Sequence, residues 1–358
     1  MALKIQYPNL RVQTKLDLFV IRRIAKLSNK LCAYYDYKGI DFDKFLNHFE
    51  KGLLQELDFK REVINAQKTQ ENFRYEQEGR YEDLYVPRFD PLRSTKRTIL
   101  MEYVEGIKID DIDALNEKFG SAQRCTDLLL HIFAKMIFLH GHVHCDAHPG
   151  NIFVRPNPKN PERPQIVLLD HGFYGTCSNA FRRQFCKLWY ALATMDYVTV
   201  KKLSYELGIN EYYRYLPILF TGRTINTTKP LGAKPHKEEK DFILQNNEGN
   251  LEKVGNLLQK LPTDVIFMFK AIAIIAVHNA RAGGTTRKRI FTFTDYCMQA
   301  MCERFSYFYL LYLRFHFRFK VLLFEQWFSL YERLFGFMRV SMDKAGQELK
   351  EDMGVYNR

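Results

Sequence analysis

The feature that most constrains the fold of this chain is a short polar loop followed by an acidic turn at a fixed distance. The loop reads His144-Cys145-Asp146-Ala147-His148-Pro149-Gly150-Asn151, and Asp170-His171-Gly172 begins nineteen positions after Asn151. An apolar stripe at helical spacing precedes the loop, and Gly141 ends it. Two predicted strands, 151–154 and 165–169, lie between the motifs and are joined by a turn-rich loop at 155–161.

The order H-x-D-x-x-x-x-N, strand pair and D-x-G is typical of phosphoryl transfer sites. Such sites need a carboxylate near the accepting hydroxyl and oxygen ligands for Mg²⁺. We expect Asp146 to position that hydroxyl or accept its proton, and Asn151 and Asp170 to hold the metal. His144 is expected to brace the loop.

Two other interpretations of the same residues stay open at this point. His144, Asp146 and His148 form an H-x-D-x-H string that could converge on a transition metal if it were a strand, although Pro149-Gly150 favours a loop. A polar turn followed by an unrelated D-x-G is the other interpretation, and the matching spacing, order and flanking elements argue against it.

A lysine near the start supplies a further part of the pattern. Ala2-Leu3-Lys4-Ile5 has the form of the strand V-A-I-K, whose lysine holds nucleotide phosphates. Such a lysine needs a carboxylate from the following helix, and Glu62 is the candidate. Taken alone, a lysine four residues from a terminus indicates a solvated end. The downstream motifs favour the functional interpretation.

The rest of the chain predicts a two-lobed α+β fold with an incomplete small sheet in its first lobe. We expect a partial kinase-like N-lobe at 1–105, a mostly helical C-lobe at 106–305 and a helical extension at 306–358. Within the first lobe, Leu16, Val20, Ile24 and Leu27 have the spacing of one helix face. The other predicted elements are a strand at 3–6, a helix at 45–73, strands at 84–88 and 98–104, only helices after about 180, and an exposed lysine-rich loop at 229–240.

Composition narrows the partners and the compartment. Lys+Arg 53 against Asp+Glu 41 gives a net charge of +12, which attracts nucleotides, acidic lipid headgroups or nucleic acid. The seven cysteines are scattered without a C-x-x-C pair, which argues against a disulfide framework or structural zinc and favours a reducing compartment. The most apolar run, 266–277, is interrupted by Lys270 and is too short to span a bilayer.

Aromatic and basic residues alternate from Phe305 to Phe337. Three interpretations fit this segment: packing of its rings on the C-lobe, peripheral contact with a membrane surface, or stacking on single-stranded nucleic acid. No recognised nucleic-acid motif accompanies the charge, so packing and membrane contact are favoured.

Taken together, the motifs resemble those of the UbiB family of aarF-domain-containing atypical kinases, and most closely its mitochondrial aarF domain-containing kinase 1 branch. The resemblance covers residues 4 to 175 and continues more weakly to about 305. The segments that carry it are Lys4-Ile5-Gln6-Tyr7-Pro8, Glu56-Leu57-Asp58-Phe59 with Glu62, Met101-Glu102-Tyr103-Val104-Glu105-Gly106, the His144–Asn151 loop and Leu168-Leu169-Asp170-His171-Gly172.

The resemblance implies a kinase-like fold that binds ATP and Mg²⁺. By likeness, Lys4 contacts phosphates and pairs with Glu62, and Asp146 is the catalytic aspartate. Asn151 and Asp170 are implied as metal ligands. The other positions that the resemblance assigns are the adenine edge (Met101, Glu102, Tyr103 and Val104), an E-x-D motif (Glu56 and Asp58) and motif support (His144, His148 and Gly172). The family acts as ATPases or unorthodox kinases in mitochondrial lipid and coenzyme Q homeostasis, which implies a mitochondrial location.

Departures from ordinary kinases refine these expectations. No A-P-E string follows Asp170, so a small-molecule or lipid acceptor, or water, fits better than a peptide. The resemblance also implies an alanine-rich phosphate cover and a K-x-G-Q extension upstream of Lys4, so we expect the chain to be a piece of a longer protein. The alternative function is a non-catalytic pseudokinase scaffold or a lipid-binding protein.

Overall fold

A computed structural model describes residues 1–34, 50, 57–74, 83–222, 261–302 and 307–352. The first part contains β1 (Ala2–Ile5), α1 (Leu10–Tyr34), α2 (Phe59–Arg74), β2 (Leu84–Tyr85), β3 (Thr98–Met101) and β4 (Ile107–Lys108). The middle part contains α3 (Ile112–Phe119), α4 (Ala122–Ala134), a π-helical continuation of α4 (Lys135–His140), β5 (His142–His144), a 3₁₀ turn (Pro149–Asn151), β6 (Ile152–Asn157), β7 (Asn160–Leu168) and β8 (Tyr174–Thr176). The last part is helical: α5 (Asn179–Ala193), α6 (Tyr197–Glu206), a 3₁₀ helix (Asn210–Tyr215), α7 (Leu216–Thr221), α8 (Thr263–Arg281), α9 (Thr286–Met301) and α10 (Tyr307–Asp352).

Three small sheets carry the motifs. β1 pairs antiparallel with β3, placing Lys4 opposite Ile99. Side chains alternate along a strand, and Leu3 and Ile5 are exposed, so Lys4 points inward. A four-stranded sheet has the order β2-β7-β6-β4, and β5 pairs antiparallel with β8. The β6–β7 hairpin therefore connects the polar loop to Asp170, while β5 and β8 flank the two motifs.

The hairpin between the motifs is longer than predicted. Residues 155–161 were expected in a loop, yet 155–157 belong to β6 and 160–161 to β7, with Pro156 opposite Pro164. Prolines are tolerated where a strand does not need their missing N–H, and a register shift follows Pro156. Arg155 Nε also donates across the pair to Gln165 Oε1 at 2.8 Å. In contrast, β2 and β3 are shorter than the predicted strands at 84–88 and 98–104.

The main core of the described residues lies mostly in the helical lobe, and a cluster of aromatic rings forms part of it. The ring of Phe138 lies 5.5 Å from Trp189 and 6.0 Å from both Phe185 and Phe293. α8 is long and apolar enough, by length and composition, to cross a membrane. One face of it is buried in this core through Val265, Met268, Ala271, Ile272 and Ile275, which is the packing of a core helix.

Two amphipathic helices have exposed apolar side chains. On α1, the predicted face of Leu16, Val20, Ile24 and Leu27 is exposed, and the opposite face buries Thr14, Leu18 and Ala25. α10 packs a narrow seam of Leu313, Phe317 and Val321 against Ala193, Ile290, Met298 and Cys302. Many other large apolar side chains up to residue 330 are exposed, including Phe308, Tyr312, Phe315, Phe319, Leu322, Leu323, Trp327 and Leu330, whereas Leu310 and Phe324 are half-buried.

The described helices after residue 178 agree with the prediction of an all-helical second half. The π-helical continuation of α4 ends at Gly141, which is in the left-handed conformation, as expected for a helix stop. The predicted start of the second helix at 45, the loop at 229–240 and Glu56 lie outside the described residues. The division of the chain at 105/106 and 305/306 stays a prediction.

Candidate functional site

Lys4, Glu62 and Asp170 meet although they are far apart in the chain. Lys4 Nζ lies 3.0 Å from both carboxylate oxygens of Glu62 and 2.9 Å from Asp170 Oδ2. The ring of Phe59 lies beneath the ammonium group, with its centroid 5.1 Å from Nζ. A lysine shared by two carboxylates leaves one negative charge uncompensated within this trio.

The charge on each member of the trio follows from burial and from its neighbours. Burial disfavours the charged lysine, but Glu62 and Asp170 outweigh it and raise the pKa of Lys4. Glu62 is almost completely buried, and this burial together with the charge of Asp170 raises the pKa of Glu62 to about 7 despite Lys4. Burial opposes ionisation of Asp170 as well, but Lys4 and the Gly172 N–H outweigh it and lower its pKa.

Helix α2 presents Glu62 in its first turn. Asp58 precedes the helix, and its carboxylate accepts a hydrogen bond from Lys60 N at 3.2 Å, as an N-terminal cap does. Phe59, Val63 and Ala66 are buried, which fixes the rotation of the helix and turns Glu62 toward β1. The structure therefore places Asp58 at the helix start rather than in contact with the trio.

The loop around Asp146 is closed on itself. Asn151 Nδ2 donates to Asp146 O at 3.0 Å and lies 3.4 Å from Asp146 Oδ2. His148 Nε2 is 3.6 Å from Asp146 Oδ2, while its Nδ1 accepts from Gly150 N. The 3₁₀ turn that begins at Pro149 brings Asn151 back beneath Asp146.

His144 connects this loop to Asp170. Its Nδ1 accepts from Asp146 N at 3.1 Å, and its Nε2 lies 2.6 Å from Asp170 O, to which it donates. The side chain is completely buried, and burial lowers its pKa. Both ring nitrogens therefore bind the backbone, so the H-x-D-x-H string does not converge on a metal. Over the described part of the chain, no group of three or more His, Cys, Asp or Glu side chains has the geometry to hold a metal ion.

Asp170 and Gly172 form a tight turn. Gly172 N donates to Asp170 Oδ1 at 2.8 Å, which leaves Oδ2 for Lys4. A Cβ atom at Gly172 would lie 3.0 Å from Asp170 Oδ1. This contact is tight enough to explain why glycine occupies the position.

The segment Met101–Val104 lies beside the trio but is tied to another strand. Glu102 N donates to Arg88 O at 2.8 Å, and the Glu102 carboxylate accepts from Tyr85 Oη at 2.5 Å. Tyr103 is exposed and Val104 is buried. The sequence grouped this segment with the phosphate and metal residues, but neither it nor Asn151 lines the cavity that Lys4, Glu62, Asp146 and Asp170 share.

That cavity has a volume of about 280 Å³, and we call its charged lining residues the charged end and the remaining ones the apolar end, although Phe59 of the latter lies beneath the Lys4 ammonium group. The charged end contains Lys4, Glu62, Asp146 and Asp170. The remaining lining residues are mainly apolar: Ile5, Gln6, Tyr7, Leu10, Leu57, Phe59, Gly172 and Phe173. Sequence reasoning predicted the charged end and missed the apolar end, because single aromatic residues near motifs carry no separate signal.

The sequence also missed a set of hydrogen bonds behind the cavity. Asn65 Nδ2 donates to His171 O at 2.9 Å, and the hydroxyls of Thr69 and Tyr174 lie 3.2 Å apart. The one available signal was the spacing of Glu62, Asn65 and Thr69 at i, i+3 and i+7, which places all three on one face of α2.

Three features together define a protein-kinase-like fold. A small lobe presents an inward lysine, and a helix supplies its carboxylate partner. A helical lobe supplies a D-x-x-x-x-N loop and a D-x-G turn. More particularly, residues 1–204 match the model of the ABC1 atypical kinase-like domain, and the chain belongs to that family. The resemblance expected from the motifs is thereby confirmed.

Named relatives agree with this assignment. AarF domain-containing protein kinase 1 of Xenopus laevis is 28% identical over 305 residues, covering 84% of this chain and 56% of the relative. The protein of the same name from Mus musculus is 29% identical over 307 residues, with the same two coverages. The chain thus spans about half the length of these curated relatives.

A solved structure supports the fold alone. The complex of Rv3197 with erythromycin from Mycobacterium tuberculosis matches with a TM-score of 0.50 at 18% identity, covering 80% of this chain and 69% of that one. Together with the family match, this likeness confirms the kinase-like fold expected from the sequence.

Proposed function

We propose that the protein binds ATP with Mg²⁺ at the charged end of the cavity and transfers the terminal phosphoryl group to a small-molecule or lipid acceptor, or to water. The observation that carries the proposal is the convergence of Lys4, Glu62, Asp146 and Asp170 on one cavity from four separate elements. When bound, ATP supplies the phosphoryl group and Mg²⁺ neutralises its charge.

Each residue has a proposed role, and the contacts of Lys4 and Glu62 support theirs. Lys4 binds phosphate oxygens, and Glu62, whose two carboxylate oxygens both bind the ammonium group, fixes its direction. Asn151 and Asp170 hold the metal. Asp146 orients the accepting hydroxyl and takes its proton. The backbone of Met101–Val104 forms the adenine edge.

The ligand residues fit a hard divalent cation whose remaining ligands are phosphate oxygens. One lysine faces three carboxylates at the charged end of the cavity, so two negative charges remain uncompensated when Glu62 is ionised, the charge that one Mg²⁺ carries. Magnesium binds through one or two carboxylates together with substrate phosphates rather than in an all-protein cage. This preference agrees with a site in which His, Cys, Asp and Glu side chains alone do not form a cage in the described residues.

The apolar end of the cavity favours an acceptor with an apolar part. Leu10, Leu57, Phe59 and Phe173 line it within the same cavity as Asp146. A lipid or another small amphiphile would place its apolar part against these side chains and its hydroxyl at Asp146. The resemblance of the motifs to the UbiB family implies mitochondrial lipid or coenzyme Q homeostasis, which is the setting that we propose.

The exposed aromatic side chains of α10 support peripheral membrane contact. Phe315, Phe319 and Trp327 are exposed and alternate with basic residues such as Arg318, the composition of helices that lie in a membrane interface. Co-flotation with phosphatidylcholine vesicles containing cardiolipin tests this contact. A triple substitution of Phe315, Phe319 and Trp327 by Ser should abolish it, and unchanged flotation of that variant would contradict it.

One observation favours the alternative of a non-catalytic scaffold. The positive charge of Lys4 is already paired with Glu62 and Asp170 at the position where phosphates would bind. A scaffold would retain this ion-paired state and would release no phosphate.

Nucleotide-dependent thermal stabilisation tests the proposal. Mg·ATP at a hundredfold excess over its dissociation constant should stabilise the protein by about 2.7 kcal/mol. Asp170→Asn should abolish the shift. Asp295→Asn is the matched control, because Asp295 pairs with Arg314 between α9 and α10, away from the cavity. No shift with the unmodified chain would contradict nucleotide binding.

Phosphate release separates the two functions once binding is established. Release by the unmodified chain should exceed that of Asp146→Asn by at least about tenfold, since a positioned general base contributes about 10²–10⁴ in rate. Binding without release above the Asp146→Asn level would favour the scaffold.

A further inference from the structure

A buried chain of hydrogen bonds joins the Asp170 turn to helix α2 from behind. Tyr174 Oη lies 2.8 Å from His171 Nδ1 and 3.2 Å from Thr69 Oγ1. Asn65 Nδ2 donates to His171 O at 2.9 Å. His171, Tyr174 and Thr69 are all buried. The turn and the helix are therefore held together by polar contacts as well as by packing.

The surrounding acceptors fix the protons of His171 and Tyr174. His171 Nε2 lies 3.1 Å from Leu168 O, and a carbonyl only accepts, so the imidazole carries its proton on Nε2. Nδ1 is then an acceptor, and the Tyr174 hydroxyl donates to it. The Tyr174 oxygen retains a lone pair for Thr69, whose single hydroxyl proton is shared between Tyr174 Oη at 3.2 Å and Asn65 O at 2.9 Å.

Helix α2 uses one face for all of these contacts. Glu62 binds Lys4 in the first turn, Asn65 binds His171 O one turn later, and Thr69 meets Tyr174 in the next turn. The three positions follow the i, i+3, i+7 spacing of a helix face. A rotation or shift of the helix that breaks the Asn65 and Thr69 contacts would also move Glu62.

We propose that the Tyr174 hydroxyl is a positioning group, which sets the rotation and height of α2 against the Asp170 turn and so places the Glu62 carboxylate on Lys4. In protein kinases the residue after the aspartate of this turn is a phenylalanine that acts through packing. Here His171 replaces that apolar contact with a directional one. The catalytic consequence rests on the proposed function, whereas the structural link does not.

The stacking around Tyr174 shows that the hydroxyl can be removed without loss of packing. The ring of Tyr174 stacks on His142 at 4.4 Å and on His171 at 5.7 Å between centroids. Phenylalanine would keep both ring contacts. Tyr174→Phe therefore isolates the hydroxyl from the ring.

Amide hydrogen exchange of the protein without ligands tests the link. Tyr174→Phe should accelerate exchange of the α2 amides about fivefold, the effect of losing roughly one buried neutral hydrogen bond, and should leave the β6–β7 amides unchanged. Tyr190→Phe is the matched control, because the Tyr190 hydroxyl also contacts a histidine, His316 Nδ1 at 2.7 Å, in the helical lobe. This control should leave α2 exchange unchanged.

Substitutions at Thr69 provide the second arm. Thr69→Val removes the hydroxyl at nearly equal volume and should accelerate α2 exchange, while Thr69→Ser retains the hydroxyl and should restore the slow rate. The double variant Tyr174→Phe/Thr69→Val should exchange more slowly than the product of the two single accelerations predicts, since the two substitutions share the Thr69–Tyr174 contact. Multiplied effects in the double variant would overturn the link.

Kinetics then connect the link to catalysis. If the chain releases phosphate, Tyr174→Phe should lower kcat by more than it raises KM for Mg·ATP, and Tyr190→Phe should change neither. Unchanged α2 exchange, or equal acceleration of α2 and β6–β7, would overturn the positioning role whether or not the protein binds nucleotide. Failure of nucleotide binding with selective α2 exchange would overturn the proposed function and leave the link supported.

Discussion

Two groups of titratable side chains lie back to back at Asp170 and differ in charge. The cleft group, in front, consists of Lys4, Glu62, Asp146 and Asp170. The histidine group, behind, consists of His142, His144 and His171. Members of the cleft group form ion pairs in a cavity, whereas the histidines are buried and are bonded to neutral partners.

The difference shows how burial and bonding partners divide polar side chains between chemistry and support. Burial lowers the pKa of His142 to about 4 and that of His171 to about 3, so both are neutral at physiological pH. Neutral imidazoles whose nitrogens bind backbone and hydroxyl groups give direction without charge. In front, one lysine shared by several carboxylates leaves charge uncompensated, and this charge is available for a ligand.

The largest loss of stability is expected from a substitution in the histidine group. His144→Leu would leave Asp146 N and Asp170 O without their buried partner, and each such group costs about 1–3 kcal/mol. The free energy of unfolding should fall by about 2–5 kcal/mol, measured by urea denaturation. His148→Leu is the control in the same loop, and it should cost under about 1 kcal/mol because His148 is half-exposed. Equal losses would remove the distinction between the two histidines.

A pH series of stability measurements tests the charge of the cleft group. The pKa of Glu62 is about 7 in the folded state and near 4.5 when unfolded. The protonated carboxyl therefore contributes stability below about pH 4.5, and this contribution is lost as the pH rises through 7. Relative to Glu62→Gln, the unmodified chain should lose up to about 3 kcal/mol across this interval.

The histidine group changes stability with pH in the opposite direction. The test therefore uses the difference in stability between the unmodified chain and Glu62→Gln at each pH. Histidines with a lowered pKa in the folded state destabilise the fold as the pH falls below about 6.5. That contribution is common to both proteins and cancels. Thermal unfolding in a pH series measures the difference, and a constant difference between pH 4.5 and 7 would show that Glu62 is ionised throughout.

The front of the site could be predicted from the sequence because its chemistry is carried by spacing. Asp146, Asn151 and Asp170 stand at fixed distances around a strand pair, and this pattern also made the weak signal at Lys4 meaningful. The family and the fold are confirmed by the comparisons. The roles of the individual residues stay predictions, although Lys4, Glu62, Asp146 and Asp170 do share one cavity.

The back of the site could not be predicted, because its contacts depend on tertiary pairing. β5 and β8 have three residues each, too few for an alternating pattern to indicate a strand. Their pairing places His142 opposite Thr176 and His144 opposite Tyr174. The exposed face of α1 shows the same limit, since periodicity grouped Leu16, Val20 and Ile24 on one face but did not determine what the face contacts.

The smallest expected effect lies at the edge of the histidine group. Thr176 Oγ1 lies 2.9 Å from His142 Nδ1, and Thr176 is exposed, so water can replace the contact. Thr176→Val should cost about 0.5–1 kcal/mol in urea denaturation, and Thr176→Ser should cost less because it retains the hydroxyl. A loss as large as that of His144→Leu would mean that water does not reach His142 and that the neutral group behind the cleft extends as a rigid unit to the end of β8.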